Sequence, residues 1–275
     1  MQPQTVWALY FSPTGNAARL AVTLAKSMAE ALGAKLRVWD FTLPKNRVQK
    51  IVFKKEDLVV VSTPVYAGRV PNKLLPYLEN NWQGNGALAI PLVSFGNRAF
   101  DDALIELCNL LEADGFHTVA AGAQPSQHAF SALLAPGRPR ADDLAAWQAF
   151  GREAAEKVRA LAAPSAAPIA VPGRDPVGPY YIPLGTDGQP VRFLKATPKT
   201  AMDKCTHCGL CAKICPMGSI SPEDPAAMIG ICLKCQACVQ KCPTKAKYFD
   251  DPAFLSHVSM LEASYGAPKE AVRLL

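Results

Sequence analysis

Eight of the nine cysteines lie in one short stretch near the C-terminus, as two copies of the same pattern. The first run is Cys205, Cys208, Cys211 and Cys215, followed by Pro216; the second run is Cys232, Cys235, Cys238 and Cys242, followed by Pro243. Three cysteines at two-residue intervals let one tight loop wrap an iron–sulfur cubane and turn its backbone N–H groups toward the sulfides. So dense a group in an intracellular chain favours metal over disulfides.

The spacing also predicts which thiols share a cluster. In the two-cluster pattern the fourth cysteine of each run ligates the cluster of the other run. We therefore predict one 4Fe-4S cluster on Cys205, Cys208, Cys211 and Cys242, and a second on Cys232, Cys235, Cys238 and Cys215. Structural zinc is the alternative, but zinc sites usually pair two Cys-x2-Cys knuckles. His207 is expected to be a surface residue, because all four thiolate positions are filled.

A second place for chemistry is the segment from Ser12 to Ala17, between a predicted strand at 5–11 and a predicted helix from Ala17 to Ala31. Backbone N–H groups and a helix N-terminus that point at one spot form a phosphate site. No lysine of the Gly-Lys-Ser/Thr kind is present, so a monophosphate fits better than a triphosphate. These residue types also simply cap helices. The predicted phosphate-binding residues are Ser12, Thr14, Gly15, Asn16 and Ala17.

Two more loops follow the third and fourth predicted strands, at the sheet edge where open α/β folds bind ligands. Both combine aromatic, glycine and polar residues, which suits a flavin: aromatic faces stack on the ring while polar groups bond its edge. The predicted flavin contacts are Thr63, Pro64, Val65, Tyr66, Ala67 and Gly68 in one loop, and Ser94, Phe95, Gly96, Asn97, Arg98, Phe100 and Asp101 in the other. Tyr66 and Phe95 could instead be ordinary loop-anchoring aromatics.

These loops must be positioned by strands that alternate with helices. Further strands are predicted at 35–39, 58–62, 87–94 and 116–122, and further helices at 72–80, 99–113 and 141–162. Such alternation gives a parallel, doubly wound sheet of the α/β class, covered on both faces. The expected divisions are a binding domain at 1–163, a Pro/Gly-rich linker at 164–198, a small α+β cluster domain at 199–250 and a tail at 251–275 that could form a short helix.

Two resemblances extend this interpretation. The segments Cys-Thr-His-Cys-Gly-Leu-Cys-Ala-Lys-Ile-Cys-Pro and Cys-Leu-Lys-Cys-Gln-Ala-Cys-Val-Gln-Lys-Cys-Pro resemble bacterial 2(4Fe-4S) ferredoxins over about 50 residues. The three loops together look like the flavodoxin family over residues 3–162, which implies FMN and a five-stranded sheet of order 2-1-3-4-5. Ala17 departs from the hydroxyl residue that often ends that family's phosphate loop.

The order of the modules, and the phrase Gly-Asn-Arg-Ala-Phe-Asp-Asp-Ala-Leu, are similar to anaerobe proteins in which a flavodoxin-like domain is fused to a ferredoxin. A flavin accepts two electrons and a cluster passes one, so the expected function is electron transfer between FMN and the clusters, with no catalytic residue assigned. One alternative is a reductase of a quinone or nitro compound; another is a redox or oxygen sensor without flavin.

Charged side chains complete the expectations. Arg69 and Arg98 are expected to favour the anionic reduced flavin by Coulomb attraction. His128, and less readily His117, could approach the flavin. The net charge of +6 is spread along the chain, which favours redox partner proteins with acidic docking surfaces and excludes nucleic acid.

The expected location is cytoplasmic. The apolar runs are far shorter than the roughly 20 residues that span a bilayer, so we predict no membrane segment. The N-terminal residues 1–10 have no basic start followed by an apolar run and a small-residue cleavage site.

Overall fold

The structure is a computed structural model that describes residues 2–165 and 167–275. The strands are β1 (Thr5–Tyr10), β2 (Lys35–Asp40), β3 (Ile51–Val52), β4 (Asp57–Pro64), β5 (Trp82–Gln83), β6 (Leu88–Phe95), β7 (His117–Thr118), β8 (Ala121–Pro125), β9 (Lys199–Thr200), β10 (Lys247–Tyr248) and β11 (Val272–Leu274). The helices are α1 (Asn16–Leu32), α2 (Leu75–Asn81), α3 (Ala103–Ala113), α4 (Ala141–Ala160), α5 (Leu210–Lys213), α6 (Ala237–Gln240) and α7 (Pro252–Ser264). None of the described helices is long and apolar enough to cross a membrane.

The central sheet has the order β11-β8-β6-β4-β1-β2, with β7 paired beside β6. Its five longest parallel strands, β1, β2, β4, β6 and β8, are therefore arranged 2-1-3-4-5, which is the flavodoxin-like order of doubly wound sheets. The five predicted parallel strands are all present, and in the described part of the chain two short strands, β7 and β11, extend the sheet. The tail returns as antiparallel β11 along the edge of β8, where Val272 pairs with Ala123.

The predicted strand at 116–122 is also divided. Residues 117–118 form β7 and the longer β8 begins only at Ala121. Both pieces pair with β6: His117 of β7 lies beside Leu88, and Gly122 of β8 lies beside Leu92. The predicted phosphate-side helix is confirmed as α1, which begins one residue earlier, at Asn16.

Both faces of the sheet are buried under helices. Every residue of β6 and nearly every residue of β4 is buried, as expected for central parallel strands. Helices α1 and α4 cover one face, where Leu24 and Met28 pack with Trp147. The other face carries α2, α3 and a group of aromatic rings that includes Phe41 and Trp82, with ring centroids 5.4 Å apart. Burial of each such side chain stabilises the fold by about 1.5–3 kcal/mol.

The linker is irregular, as its prolines predict, and it packs on the large domain. Asp102 accepts hydrogen bonds from the backbone N–H groups of Arg174 and Gly178 at 3.0 and 2.9 Å, and its carboxylate pairs with the Arg174 guanidinium. Further along, the Tyr181 N–H donates to the Ala67 carbonyl at 2.8 Å. The linker therefore runs over the loop that follows β4.

Candidate functional site

The eight clustered cysteines line two neighbouring cavities. One cavity is lined by Cys205, Cys208, Cys211 and Cys242, together with Cys238; the other is lined by Cys215, Cys232, Cys235 and Cys238. In each cavity three cysteines of one run meet the fourth cysteine of the other. This grouping agrees with the predicted exchange of ligands between the runs, and an all-thiol donor set suits an iron–sulfur cluster.

The two runs share a backbone conformation that shapes these cavities. Left-handed φ angles recur at equivalent places: 53° at His207 and 57° at Lys234, then 70° at Gly209 and 63° at Gln236. Such turns bring successive N–H groups to the inside of a loop. After the last cysteine of each run, the N–H of the fourth following residue donates to its sulfur, from Ser219 to Cys215 at 3.3 Å and from Ala246 to Cys242 at 3.2 Å.

The runs differ in exposure. Cys208 of the first run is exposed, whereas Cys235 of the second run is only 8% exposed. Burial raises the pKa of the Cys235 and Cys238 thiols to about 12. Burial also raises the pKa of the Cys242 thiol, but hydrogen bonds from Lys247, Thr244 and Ala246 outweigh this effect. The pKa of Cys242 is therefore lowered overall. Buried thiols of this kind become thiolates when a metal displaces their protons.

A separate cavity of about 230 Å³ lies at the carboxyl edge of the large sheet. Eleven of the predicted flavin and phosphate residues line it: Thr14, Asn16, Pro64, Val65, Tyr66, Ala67, Gly68, Ser94, Phe95, Gly96 and Arg98. The three predicted loops therefore meet in one place. The predicted residues Ser12, Gly15, Ala17 and Thr63 belong to these loops but do not line the cavity.

The cavity also has walls that sequence reasoning missed. They come from the loop after β8, where only His128 was anticipated, and from the linker, the second cysteine run and α7. The residues that were missed are Ser126, Gln127, Ala129, Phe130, Tyr181, Pro183, Phe193, Leu233, Lys234, His257 and Leu261. The loop after β8 could have been found from the rule that located the other loops, since it too follows a parallel strand. No local signal marks the linker and α7 residues, because only tertiary packing brings them here.

The phosphate loop has the donors that an anion needs. Gly15 takes φ 104° before α1, and the Ala18 N–H donates to Ser12 Oγ at 2.9 Å, which fixes the loop. Across the described residues, the N–H groups of residues 14–17 donate to no other group of the chain. The first N–H groups of a helix lack internal partners and form an anion site. The loop therefore fits a phosphate, with Ser12 in a supporting position.

Three predicted flavin contacts have other roles. Asn97 is fully buried and its amide donates to the backbone carbonyls of Tyr265 at 2.6 Å and Ala267 at 2.9 Å, so it anchors the tail. Phe100 packs on Phe95, with ring centroids 5.4 Å apart. Asp101 forms an ion pair with Arg98. Asn97, Phe100 and Asp101 do not line the cavity, so the structure does not bring these three predicted flavin contacts to it.

The two arginines are less available than expected. Arg69 donates to both carboxylate oxygens of Glu106, from Nε at 2.8 Å and from Nη2, and it lies outside the cavity. A carboxylate therefore already compensates the Arg69 charge, and its expected attraction for a reduced flavin stays a prediction. Arg98 does line the cavity, where its guanidinium stacks 3.9 Å from the centroid of the Tyr181 ring.

His128 lies in the cavity and His117 does not, because His117 belongs to β7 near the other end of the sheet. The His128 ring packs on Gly96 so closely that a methyl group there would overlap it. Its Nδ1 accepts the Phe130 N–H at 3.0 Å, so the proton of the neutral ring is on Nε2. Burial, with the nearby His257 and Arg98, lowers the pKa of His128 to about 4.

Tyr66 connects the cavity to the second cysteine run. It lines the cavity beside Leu233 and Lys234, which stand between Cys232 and Cys235 in sequence. Burial raises the pKa of Tyr66 well above its ordinary value, and negative charge at Cys235 and Cys232 raises it further. The second cysteine run is therefore the one that contacts the flavodoxin-like domain at this cavity.

Comparisons with known proteins agree with this division. Residues 204–247 match the family described as 4Fe-4S dicluster domain. No curated protein sequence matches the chain. Residues 204–247 therefore form a dicluster domain. The domain before it in the chain is flavodoxin-like, as the strand order of its sheet shows.

Several solved structures are similar to the large domain. A flavodoxin from the domain Archaea is 17% identical, with a TM-score of 0.38 over 56% of this chain and 99% of that one. The flavodoxin of Streptococcus pneumoniae TIGR4 is 17% identical, with a TM-score of 0.41 over 56% of this chain and 99% of that one. Rubredoxin oxygen:oxidoreductase from the anaerobe Desulfovibrio gigas is 17% identical, with a TM-score of 0.38 over 58% of this chain and 37% of that one.

Proposed function

We propose that this chain is an iron–sulfur flavoprotein that transfers electrons between FMN in the cavity and two 4Fe-4S clusters on the eight cysteines. The observation that carries the proposal is the shared wall: Tyr66 lines the cavity together with Leu233 and Lys234, the two residues between Cys232 and Cys235. FMN accepts one or two electrons and a cluster exchanges one, so the pair would connect two-electron and one-electron carriers.

The residues present suit FMN. The free N–H groups of residues 14–17 would hold its phosphate, and the aromatic and glycine positions Tyr66, Phe95 and Gly96 would border its ring. His128 would offer a neutral N–H donor in the same cavity, since its depressed pKa keeps the ring uncharged near pH 7. The chain's own contribution is to bind, orient and cover the flavin beside the second cysteine run.

The first test is composition. Full-length protein purified under strict anoxia is expected to hold about eight irons, eight sulfides and one FMN per chain, as two 4Fe-4S sites and one phosphate site require. Iron without flavin, and no binding of added FMN, would contradict the proposal. About one zinc ion per four thiols, without iron or sulfide, would instead establish structural zinc.

The second test addresses the shared wall. Replacing Tyr66→Leu is expected to leave iron content unchanged while slowing reduction of FMN by pre-reduced clusters, measured by stopped-flow absorbance. Tyr180→Leu is the matched control, because Tyr180 belongs to the linker but lies outside the cavity, over Arg69. Equal rates in both variants would show that the contact at Tyr66 does not matter for transfer.

We also propose that the electron partner docks at the exposed end of the dicluster domain and is acidic. Cys208 is exposed there, and Lys204, Lys213 and Lys241, next to or near cysteines of this domain, are exposed as well. Opposite charges steer association and make it depend on salt.

Reduction by an acidic ferredoxin is expected to slow as ionic strength rises. The slope should be shallower after Lys204→Glu, whereas the control Lys35→Glu, on β2, should keep the slope of wild type. Rates that do not vary with salt would exclude this docking surface.

A further inference from the structure

The two cysteine runs differ in charge at one buried position. Ile220 follows the last cysteine of the first run by five residues, and Lys247 follows the last cysteine of the second run by the same number. Both side chains are 3% exposed. The first run shows that this place in the fold accepts an apolar residue. A lysine ammonium costs free energy when buried, unless a negative group compensates for its lost hydration.

Local structure forces Lys247 inward. It opens β10 opposite Thr200 of β9, and strand alternation then leaves the next residue, Tyr248, 40% exposed. The Lys247 ammonium donates to the Pro225 carbonyl, which also accepts from Thr200 Oγ1 at 3.0 Å. Within residues 2–165 and 167–275, no carboxylate lies within 4.0 Å of its Nζ. Its compensating negative charge must therefore come from elsewhere.

The groups around Lys247 are the predicted cluster ligands. The side chain lines the cavity formed by Cys205, Cys208, Cys211 and Cys242. Burial raises the pKa of Cys211, and the positive charge of Lys247 opposes that rise. The same charge opposes the larger rise at Cys238, the cysteine that borders both cavities. Lys247 thus borders one site, and its charge acts on thiols of both sites.

We propose that Lys247 is a fixed buried charge that compensates the anionic clusters and raises the reduction potential of the one held by Cys205, Cys208, Cys211 and Cys242. This inference rests on the proposed function. Reduction brings one electron from a low-potential donor protein and adds one negative charge at that site, while no bond forms or breaks. A positive charge in a poorly hydrated interior favours the added negative charge. Lys247 acts through the thiolate-bound centre and is a positioning residue.

The test is an anoxic redox titration of the full-length, cluster-loaded protein, with dithionite as reductant and electron paramagnetic resonance as readout. Lys247→Met removes the charge and keeps an unbranched chain of similar length. We expect the ratio of reduced to oxidised cluster at a fixed potential to fall about tenfold for one cluster, which is 59 mV for a one-electron couple. Lys245→Met is the matched control, because Lys245 is exposed and close in sequence to Lys247. In this variant the ratio of reduced to oxidised cluster should change less than twofold.

The outcomes separate the inference from the function. Two clusters with unchanged potentials in Lys247→Met would overturn the role of Lys247 and leave the electron-transfer proposal standing. If Lys247→Met does not load two clusters, Lys247→Arg decides: loading would show that the charge is required, and failure would show that only side-chain shape matters. Wild-type protein without two clusters would refute the proposed function itself, and the role of Lys247 with it.

Discussion

The two cysteine runs have the same spacing but different surroundings. The first presents Cys208 to solvent, while the second buries Cys235 and contributes Leu233 and Lys234 to the cavity of the flavodoxin-like domain. Their local backbones are nearly the same, so the difference arises from docking rather than from the runs themselves. Duplication therefore supplies two equivalent cysteine runs, and tertiary packing exposes the first to solvent and places the second against the cavity of the flavodoxin-like domain.

Removal of one ligand from each run tests this comparison most severely. Cys208→Ala and Cys235→Ala should each lose one cluster, about four of eight irons by chemical analysis. Only Cys235→Ala should also weaken FMN binding, by about tenfold or 1.4 kcal/mol, because the cavity wall beside Cys235 loses its support. Fluorescence titration with FMN measures the second effect. Equal flavin affinities in the two variants would show that docking does not distinguish the runs.

The histidines near the two runs should respond differently to acid. His128 is buried with a pKa of about 4 against 6.5 when unfolded, so its stabilising contribution is complete above pH 6.5 and is lost as the pH falls toward 4. The full loss is about 3 kcal/mol, or roughly 6–12 °C in Tm. The apparent Tm of wild type should fall more steeply over this range than that of His128→Gln.

The matched control is His207→Gln in the first run, because His207 is exposed. Its Tm should follow that of wild type at each pH. A parallel decline of wild type and His128→Gln would mean that His128 is not the group whose protonation destabilises the fold.

The tail that carries α7 past the cavity should depend on Asn97. Asn97→Ala removes two hydrogen bonds to the carbonyls of Tyr265 and Ala267 and is expected to cost about 2 kcal/mol. Hydrogen exchange at the amides of β11 should accelerate, while exchange in the first cysteine run should not. Asn80→Ala is the control, since Asn80 is exposed and its side-chain amide donates to the Pro76 carbonyl within the same helix. Unchanged exchange at β11 would contradict an anchoring role.

The smallest effect concerns the turn after each run. Gly218 has φ 60° and the equivalent Lys245 has φ 55°. A left-handed conformation costs roughly 1 kcal/mol for a residue with a Cβ, so Gly218→Ala should destabilise and Lys245→Gly should stabilise by amounts of this order. Thermal denaturation of the loaded protein compares the two. If both substitutions raised Tm, or both lowered it, the two runs would not tolerate the left-handed turn in the same way.

Much of the site could be predicted because its parts are local in sequence. A cysteine run wraps its own cavity, and the loops at Thr14, Tyr66 and Gly96 follow parallel strands that must end at one edge. Asn97 could not be assigned in this way, since an amide in a loop can bond either a ligand or another chain segment. Its partners, Tyr265 and Ala267, are about 170 residues away and carry no motif.

By itself, the sequence determined the two cysteine runs, their exchanged grouping and the alternation of strands and helices, because each depends on spacing between near neighbours. Only the tertiary structure decided which run faces the cavity, that the linker and α7 close it, and that β11 extends the sheet. It also decided that Lys247 is buried at the lining of a cysteine cavity, with no carboxylate of the described residues within 4.0 Å of its Nζ. These features follow from the packing of distant segments, whose free energy depends on shape and charge complementarity that no local pattern records.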